Sequence, residues 1–303
     1  MVRYISKRLG YMVLTLWVIV TITFFLMNSM PGNPITSQVK QLPAQVKENL
    51  MAEYGLDKPV SERYVMYVKN LSANKYIHDR FPNSARIGLQ AVFVGLAIGL
   101  TLGIIAGFKR NTGVDYFVIF IAILGVSIPS FVVAALLQKG LGGKAGLPIA
   151  GWYSQGDGFL NTIKFTILPT MALSFSSIAT YARYMKTSVL DVISQDYIIT
   201  AQAKGVSKVS IAWKHIIRNA ILPIVTILGP QIASIITGSF VIERIFAIPG
   251  LGNAMIDSIS AKDYNMIMGF TIFYSFLYIV SLLVVDILYT LIDPRIRLSG
   301  SKK

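Results

Sequence analysis

Cysteine is absent from the 303 residues, which excludes disulfides and thiolate-held metals. Charge is scarce: only 14% of residues are Asp, Glu, Lys or Arg, against about 25% in an ordinary soluble domain. Acidic residues are scarcer still, 14 against 28 Lys plus Arg. Histidine occurs twice, at His78 and His215. No HExxH, no paired-carboxylate motif and no GxxxxGK[ST] loop is present. A membrane hydrolase would need a nucleophile with its base, or a cluster of metal ligands, and an ATPase would need a phosphate loop. Neither is visible, so the chain is read as no enzyme, with no cofactor of its own.

What the sequence has instead is apolar length. Hydrophobic residues make up 54%. Six windows contain no Asp, Glu, Lys or Arg: Leu9–Met30, Ile87–Phe108, Tyr116–Gln138, Phe165–Ala182, Asn219–Ile242 and Tyr264–Val285. About 20 helical residues cross a bilayer at 1.5 Å each. Barrel strands would be about 10 residues long with two-residue alternation, which these windows lack. The expected fold is an all-α integral membrane protein with six transmembrane helices.

Basic residues set the orientation. With the N-terminus inside, the inner segments hold Arg3, Lys7, Arg8, Lys109, Arg110, Arg295, Arg297, Lys302, Lys303 and the Lys and Arg of 183–218. The short outer loops hold Lys139, Lys144, Lys164, Arg244 and Lys262. Both termini are therefore expected in the cytoplasm, and His78 and His215 on opposite sides. The net charge of +14 follows from this topology and does not indicate nucleic acid. The first span is too long for a signal peptide's apolar core, and no small-x-small site precedes Pro31, so an uncleaved anchor is expected.

The organisation follows: 1–30, N-terminus and first span; 31–86, an extracytoplasmic segment; 87–303, a core with spans at 87–108, 116–138, 165–182, 219–242 and 264–285. The tail is 286–303. In the outer segment, Ala44–Tyr54 reads as a helix stopped by Gly55. Ser61–Leu71 reads as a second, N-capped by Ser61, with an apolar stripe of Tyr64, Val65, Val68 and Leu71. It can cap the spans, dock a partner, or do both. The second span carries Gly95, Gly99, Gly103 and Gly107, a four-residue spacing that smooths one helix face for close packing. Pro129, Pro169, Pro223 and Pro230 fall inside spans, where each removes a backbone donor. Asp286, beside the inner end of the last span, is expected to pair with a basic neighbour or reach the interface.

The segment 183–218, RYMKTSVLDVISQDYIITAQAKGVSKVSIAWKHIIR, is the most informative. A lipid-facing protein needs only a short turn between two spans. A basic, helix-compatible connector on the inner side invites a partner protein. Ala201 and Ala203 are small enough for close approach, and Gly205 permits a positive φ for a sharp turn. Lys204, Lys208 and Lys214 supply rim charge. The alternative, an amphipathic helix lying on the inner leaflet, fits poorly with Asp191, Asp196, Ala201 and Gly205.

Several motifs, in order, resemble one family. Asp196-Tyr197, Thr200-Ala201-Gln202-Ala203-Lys204-Gly205 and Asn219-Ala220-Ile221-Leu222-Pro223 resemble the cytoplasmic signature of ABC importer permeases, specifically the oligopeptide/dipeptide permeases. RYISKRLGYMVLTLWVIVTITFFLMNSMPGNPI, YGLDKPVSERY, ILGVSIPSF, FAIPGLGNA, AKDYNMIMG and DILYTLIDPRIR are similar as well, so the resemblance covers nearly the whole chain. It departs at Ile199, where the general pattern has glutamate, at Arg218, where it has proline, and in the outer stretches 71–77 and 140–152.

The resemblance implies a type I ABC importer permease in a bacterial plasma or inner membrane, with a cytoplasmic coupling helix. A second homologous permease, two ATP-binding cassette ATPases that hold ATP and Mg, an extracytoplasmic peptide-binding protein and a peptide substrate are implied with it, besides membrane lipid. The residues it implies for ATPase coupling are Asp196, Tyr197, Ile199, Thr200, Ala201, Ala203, Lys204 and Gly205. A permease for nickel, metal chelates or glutathione is the near alternative. A stand-alone channel or secondary carrier is the alternative from another class.

Overall fold

Backbone polar groups inside a bilayer must be satisfied within the protein, and this chain satisfies them by helices. The computed structural model describes residues 2–29, 43–53, 57–70, 75–154, 156–238, 240–261 and 263–292, among which no strand occurs. The helices are α1 (Val2–Ser29), α2 (Ala44–Glu53), α3 (Val60–Asn70), α4 (Lys75–Phe108), α5 (Gly113–Ser127) and α6 (Ser130–Leu141). They continue as α7 (Phe159–Ile193), α8 (Asp196–Ala203), α9 (Lys208–Ala220), α10 (Leu222–Gly238), α11 (Phe240–Ile245), α12 (Leu251–Ser260) and α13 (Tyr264–Ile292).

Four helices are long and apolar enough to cross singly: Ser6–Ser29, Tyr76–Phe108, Phe159–Ile193 and Met266–Ile287. Two bent pairs complete a set of six: Gly113–Ser127 with Ser130–Leu141, and Lys208–Ala220 with Leu222–Ile232. The window 116–138 is therefore two helices meeting at 105°, not one continuous span. Its break sits at Ile128, extended at φ −90° and ψ 119°, because the ring of Pro129 disfavours helical geometry in the residue before it. The second bend, 44°, falls just before Pro223, which has no N–H to offer the turn below. Pro169 and Pro230 lie within α7 and α10.

The helix that contains the window 165–182 extends beyond both its ends. Helix α7 runs without interruption from Phe159 to Ile193, so the first eleven residues assigned to the connector continue the fourth span. Arg183 ends the window, and beyond it Lys186 is only 17% exposed and binds the buried carboxylate of Asp115 at 2.6 Å.

Helix α4 lies along α7 as the central pair. A Cβ on Gly95 would stand 2.8 Å from Ser177 Cβ, and one on Gly99 would stand 2.8 Å from Tyr181 Cβ. For Gly103 the nearest atoms, Ala182 O and Met185 Cβ, would be at 2.6 Å, and for Gly107 Val189 Cγ1 would be at 2.6 Å. Any side chain there would hold the helices apart.

Outside this pair, α1 packs on α13, where Arg8 meets Asp286 at 2.5 Å. Helix α3 packs on the C-terminal half of α1: Tyr64 and Thr21 share a 2.7 Å hydroxyl contact, and the Phe24 ring packs against Tyr64 and Tyr67. Burial pushes the Tyr67 hydroxyl above the ordinary tyrosine pKa. The contact stripe is thus Tyr64 and Tyr67, while Val65 and Val68 are exposed. Ser61 is not the N-cap, because α3 already starts at Val60. Gly55, Leu71 and residues 293–303 lie outside the described residues.

Candidate functional site

The connector between the fourth and fifth spans is a helix–turn–helix whose geometry is set locally. After Ile193 the chain turns at Ser194 and Gln195, and α8 begins with Asp196, an acid in the first turn where the helix dipole favours negative charge. Its other end is closed by a Schellman turn. The Val206 N–H donates to Ala201 O at 3.2 Å and the Gly205 N–H donates to Gln202 O at 2.9 Å. Gly205 sits at φ +75°, the left-handed conformation this turn requires, and open space surrounds its Cα. Its demand is therefore on the backbone and not on packing.

Helix α8 has two faces. Ile198 and Ala201 point inward, 0% and 8% exposed, into a cluster with Tyr181, Met185 and Val189 of α7 and Ile211, Ile216 and Ala220 of α9. Asp196, Tyr197, Ile199, Thr200, Ala203, Lys204 and Gly205 are exposed. Ala201 thus approaches the chain's own core, whereas the sequence suggested approach to a partner. Ile198, fully buried, anchors the helix. Its signal was available: Ile198 and Ala201 are three apart, the spacing of one helix face.

Three large apolar side chains of the connector are left exposed among polar ones. Ile199 is 59% exposed, and on α9 Val209 and Trp213 are 70% and 65% exposed. Residues Ile211–Ile217 of α9 form a π-helical stretch, a rare geometry that recurs at functional sites. Tyr197 is tied to the foot of the fifth span, where the Asn219 side chain donates to its hydroxyl at 3.1 Å.

The connector is joined to the membrane helices by α7. Met185 and Val189 touch both the inward face of α8 and the glycine seam of α4. The Lys186–Asp115 ion pair fastens α7 to the start of α5, and Asp115 accepts a second hydrogen bond from the Asn111 N–H at 3.0 Å. No group of three His, Cys, Asp or Glu poised for a metal occurs among the described residues.

Spans broken by proline, one glycine-lined seam and a folded connector define a polytopic all-α membrane protein. Residues 99–298 match the binding-protein-dependent transport system inner membrane component family, and residues 1–86 match the N-terminal region of such membrane components. The chain belongs to this family, and its fold is the all-α architecture of the type I ABC permeases. It is similar to the dipeptide transport system permease proteins of Lactococcus lactis and Bacillus subtilis, 41% identical to each over 98% of this chain and 100% and 99% of theirs. It is also 37% identical to the oligopeptide transport system permease protein of Escherichia coli K12, over 98% of this chain and all of that one.

Proposed function

We propose that this chain is a transmembrane subunit of an ATP-driven importer of dipeptides or oligopeptides, forming half of the translocation pathway. The names of its relatives support the peptide cargo. In this reading it pairs with a second homologous permease, receives peptide from an extracytoplasmic binding protein, and is driven by two ATPase subunits that hold ATP and Mg. Its termini and the connector face the cytoplasm of a bacterial cell, in keeping with the excess of Lys and Arg on those segments.

The observation that carries the reading is the division of α8. One face is buried on the ends of α7 and α9, and the other presents Tyr197, Ile199, Thr200, Ala203 and Lys204 to a partner. A helix held this way moves with the spans, so a partner that binds it differently in two nucleotide states biases their packing. The exposed residues of α8 are the docking contacts, Ala201 and Gly205 keep the helix in place, and the glycine seam holds the pair through which the motion passes.

The decisive experiment introduces a photocrosslinker at Lys204 in intact cells. A product with a nucleotide-hydrolysing subunit, copurifying with a second six-span protein, is the expected result. Peptide uptake by the purified chain alone in vesicles would replace this reading with a stand-alone carrier.

A further inference from the structure

Glu243 of α11 is fully buried, and its two oxygens serve different elements. Oε1 accepts a 2.8 Å hydrogen bond from Ser84 Oγ of α4, and Oε2 accepts a 3.0 Å bond from the Asn253 N–H in the first turn of α12. Ser84 Oγ in turn accepts the Leu251 N–H at 2.8 Å, which closes a ring among the three helices. The carboxylate fits only because Gly250 and Gly252 lack side chains: a Cβ on Gly252 would lie 3.0 Å from Oε2, and one on Gly250 would overlap the carboxylate. Beside the ring, Asn83 donates to Pro249 O at 2.9 Å and accepts from Trp152 Nε1 at 3.2 Å.

An N-cap serine or aspartate would satisfy the start of α12 without taking a glutamate out of water. The additional result of this arrangement is a connection to α4. We propose that Glu243 and Ser84 form a rigid joint that carries displacement of the outer hairpin α11–α12 into α4, making both of them positioning residues for transport. From α4 the displacement reaches α7 through the glycine seam, and from Met185 and Val189 it reaches Ile198 and Ala201 of the connector. Docking of the binding protein outside is thereby linked to hydrolysis inside. This inference rests on the importer reading above.

The test uses the assembled transporter in nanodiscs, with ATP hydrolysis measured alone and with peptide-loaded binding protein. Ser84→Ala removes the link to α4 and leaves the Glu243–Asn253 bond. Basal hydrolysis is expected within about twofold of wild type, while stimulation falls by about tenfold, a change of about 1.4 kcal/mol in the coupling of the two packings. Glu243→Gln, whose amide can donate to Ser84 and accept from Asn253, is expected to retain most of the stimulation. Unchanged stimulation in Ser84→Ala overturns the joint, and so does an equal fall of basal and stimulated rates. A second measurement needs no change in the ring. The chain has no cysteine, so Leu89→Cys and Ile259→Cys, both at exposed positions, place one spin label on α4 and one on α12. Their separation is expected to stay constant between nucleotide-free and ATP-bound states, and a shift overturns the joint. A preparation that lacks any hydrolase would count against the importer reading instead, so the two failures are distinct.

Discussion

The Asn219 amide donates to the Tyr197 hydroxyl at 3.1 Å and to His215 O at 2.8 Å, so one side chain fastens α8 to the start of the fifth span. Tyr197→Phe removes the acceptor and leaves the ring. The bond is exposed, and its net contribution is about 0.5–1.5 kcal/mol, too small to unfold the protein. The expected outcome is normal assembly with fewer peptides imported per ATP hydrolysed. Uptake and hydrolysis measured in the same vesicles give that ratio.

The seam of α4 on α7 makes a packing prediction with an internal control. Gly103→Val places a branched side chain where even a Cβ would lie 2.6 Å from a backbone carbonyl of α7. Overpacking of this kind costs about 1–3 kcal/mol. Gly140→Ala is the control, because nothing lies within 4 Å of its added carbon. Thermal unfolding in detergent should show a lower midpoint for Gly103→Val and no loss for Gly140→Ala.

The six crossings were legible because apolar windows without charge are long, and no other fold needs them. Their ends were less legible, for a physical reason. A charge bounds an apolar window, but a paired charge can sit within a continuing helix, as Lys186 does against Asp115. Glu243 likewise bounds the window Asn219–Ile242 in the sequence, yet it is among the most deeply buried side chains. Pro129 announced a break, whereas the 105° angle depends on where Ala134 of α6 finds its core partners, Leu168 and Ala172 of α7. In the connector, residue size was legible and direction was not. Ala201 is small because it packs inward beside Ile198, which depends on where α7 and α9 lie.

The buried pair Lys186–Asp115 predicts a non-additive series. Lys186→Met leaves the carboxylate, 3% exposed, with only the Asn111 N–H and the charge of Arg110 to hold it, a loss of about 1–3 kcal/mol. Lys186→Met combined with Asp115→Leu removes both charges and should recover much of that loss. Unfolding midpoints of the two singles and the double close the cycle. A double variant destabilised by the sum of the two singles would show that the pair is not coupled.

Gly205 separates a backbone requirement from a packing one. Asparagine tolerates the left-handed conformation and valine does not. Since no atom lies within 4 Å of an added Cβ, Gly205→Val is strained only through its φ of +75°, by about 1–3 kcal/mol. Gly205→Asn should transport nearly as wild type. Gly205→Val should remain in the membrane and lose uptake relative to hydrolysis, measured at matched protein levels.

Ile198 and Ile199 are neighbours with opposite surroundings, 0% and 59% exposed. An aspartate at 198 is buried among Met185, Val189 and Ile211 with no cation of that cluster to meet it. Burying a carboxylate unpaired costs several kcal/mol, so Ile198→Asp should release the connector from the spans and lower the amount of folded protein. An aspartate at 199 stays in water and leaves the internal core intact, so Ile199→Asp should fold normally. On the importer reading its effect falls on the ATPase partner, because an apolar docking contact would be replaced by a charge that must be desolvated. The expected result is a folded permease that copurifies with much less ATPase, by about tenfold or more. Quantifying both subunits after a single affinity step compares the two variants directly. If Ile199→Asp retains its full complement of ATPase, the exposed face of α8 is not where the partner binds.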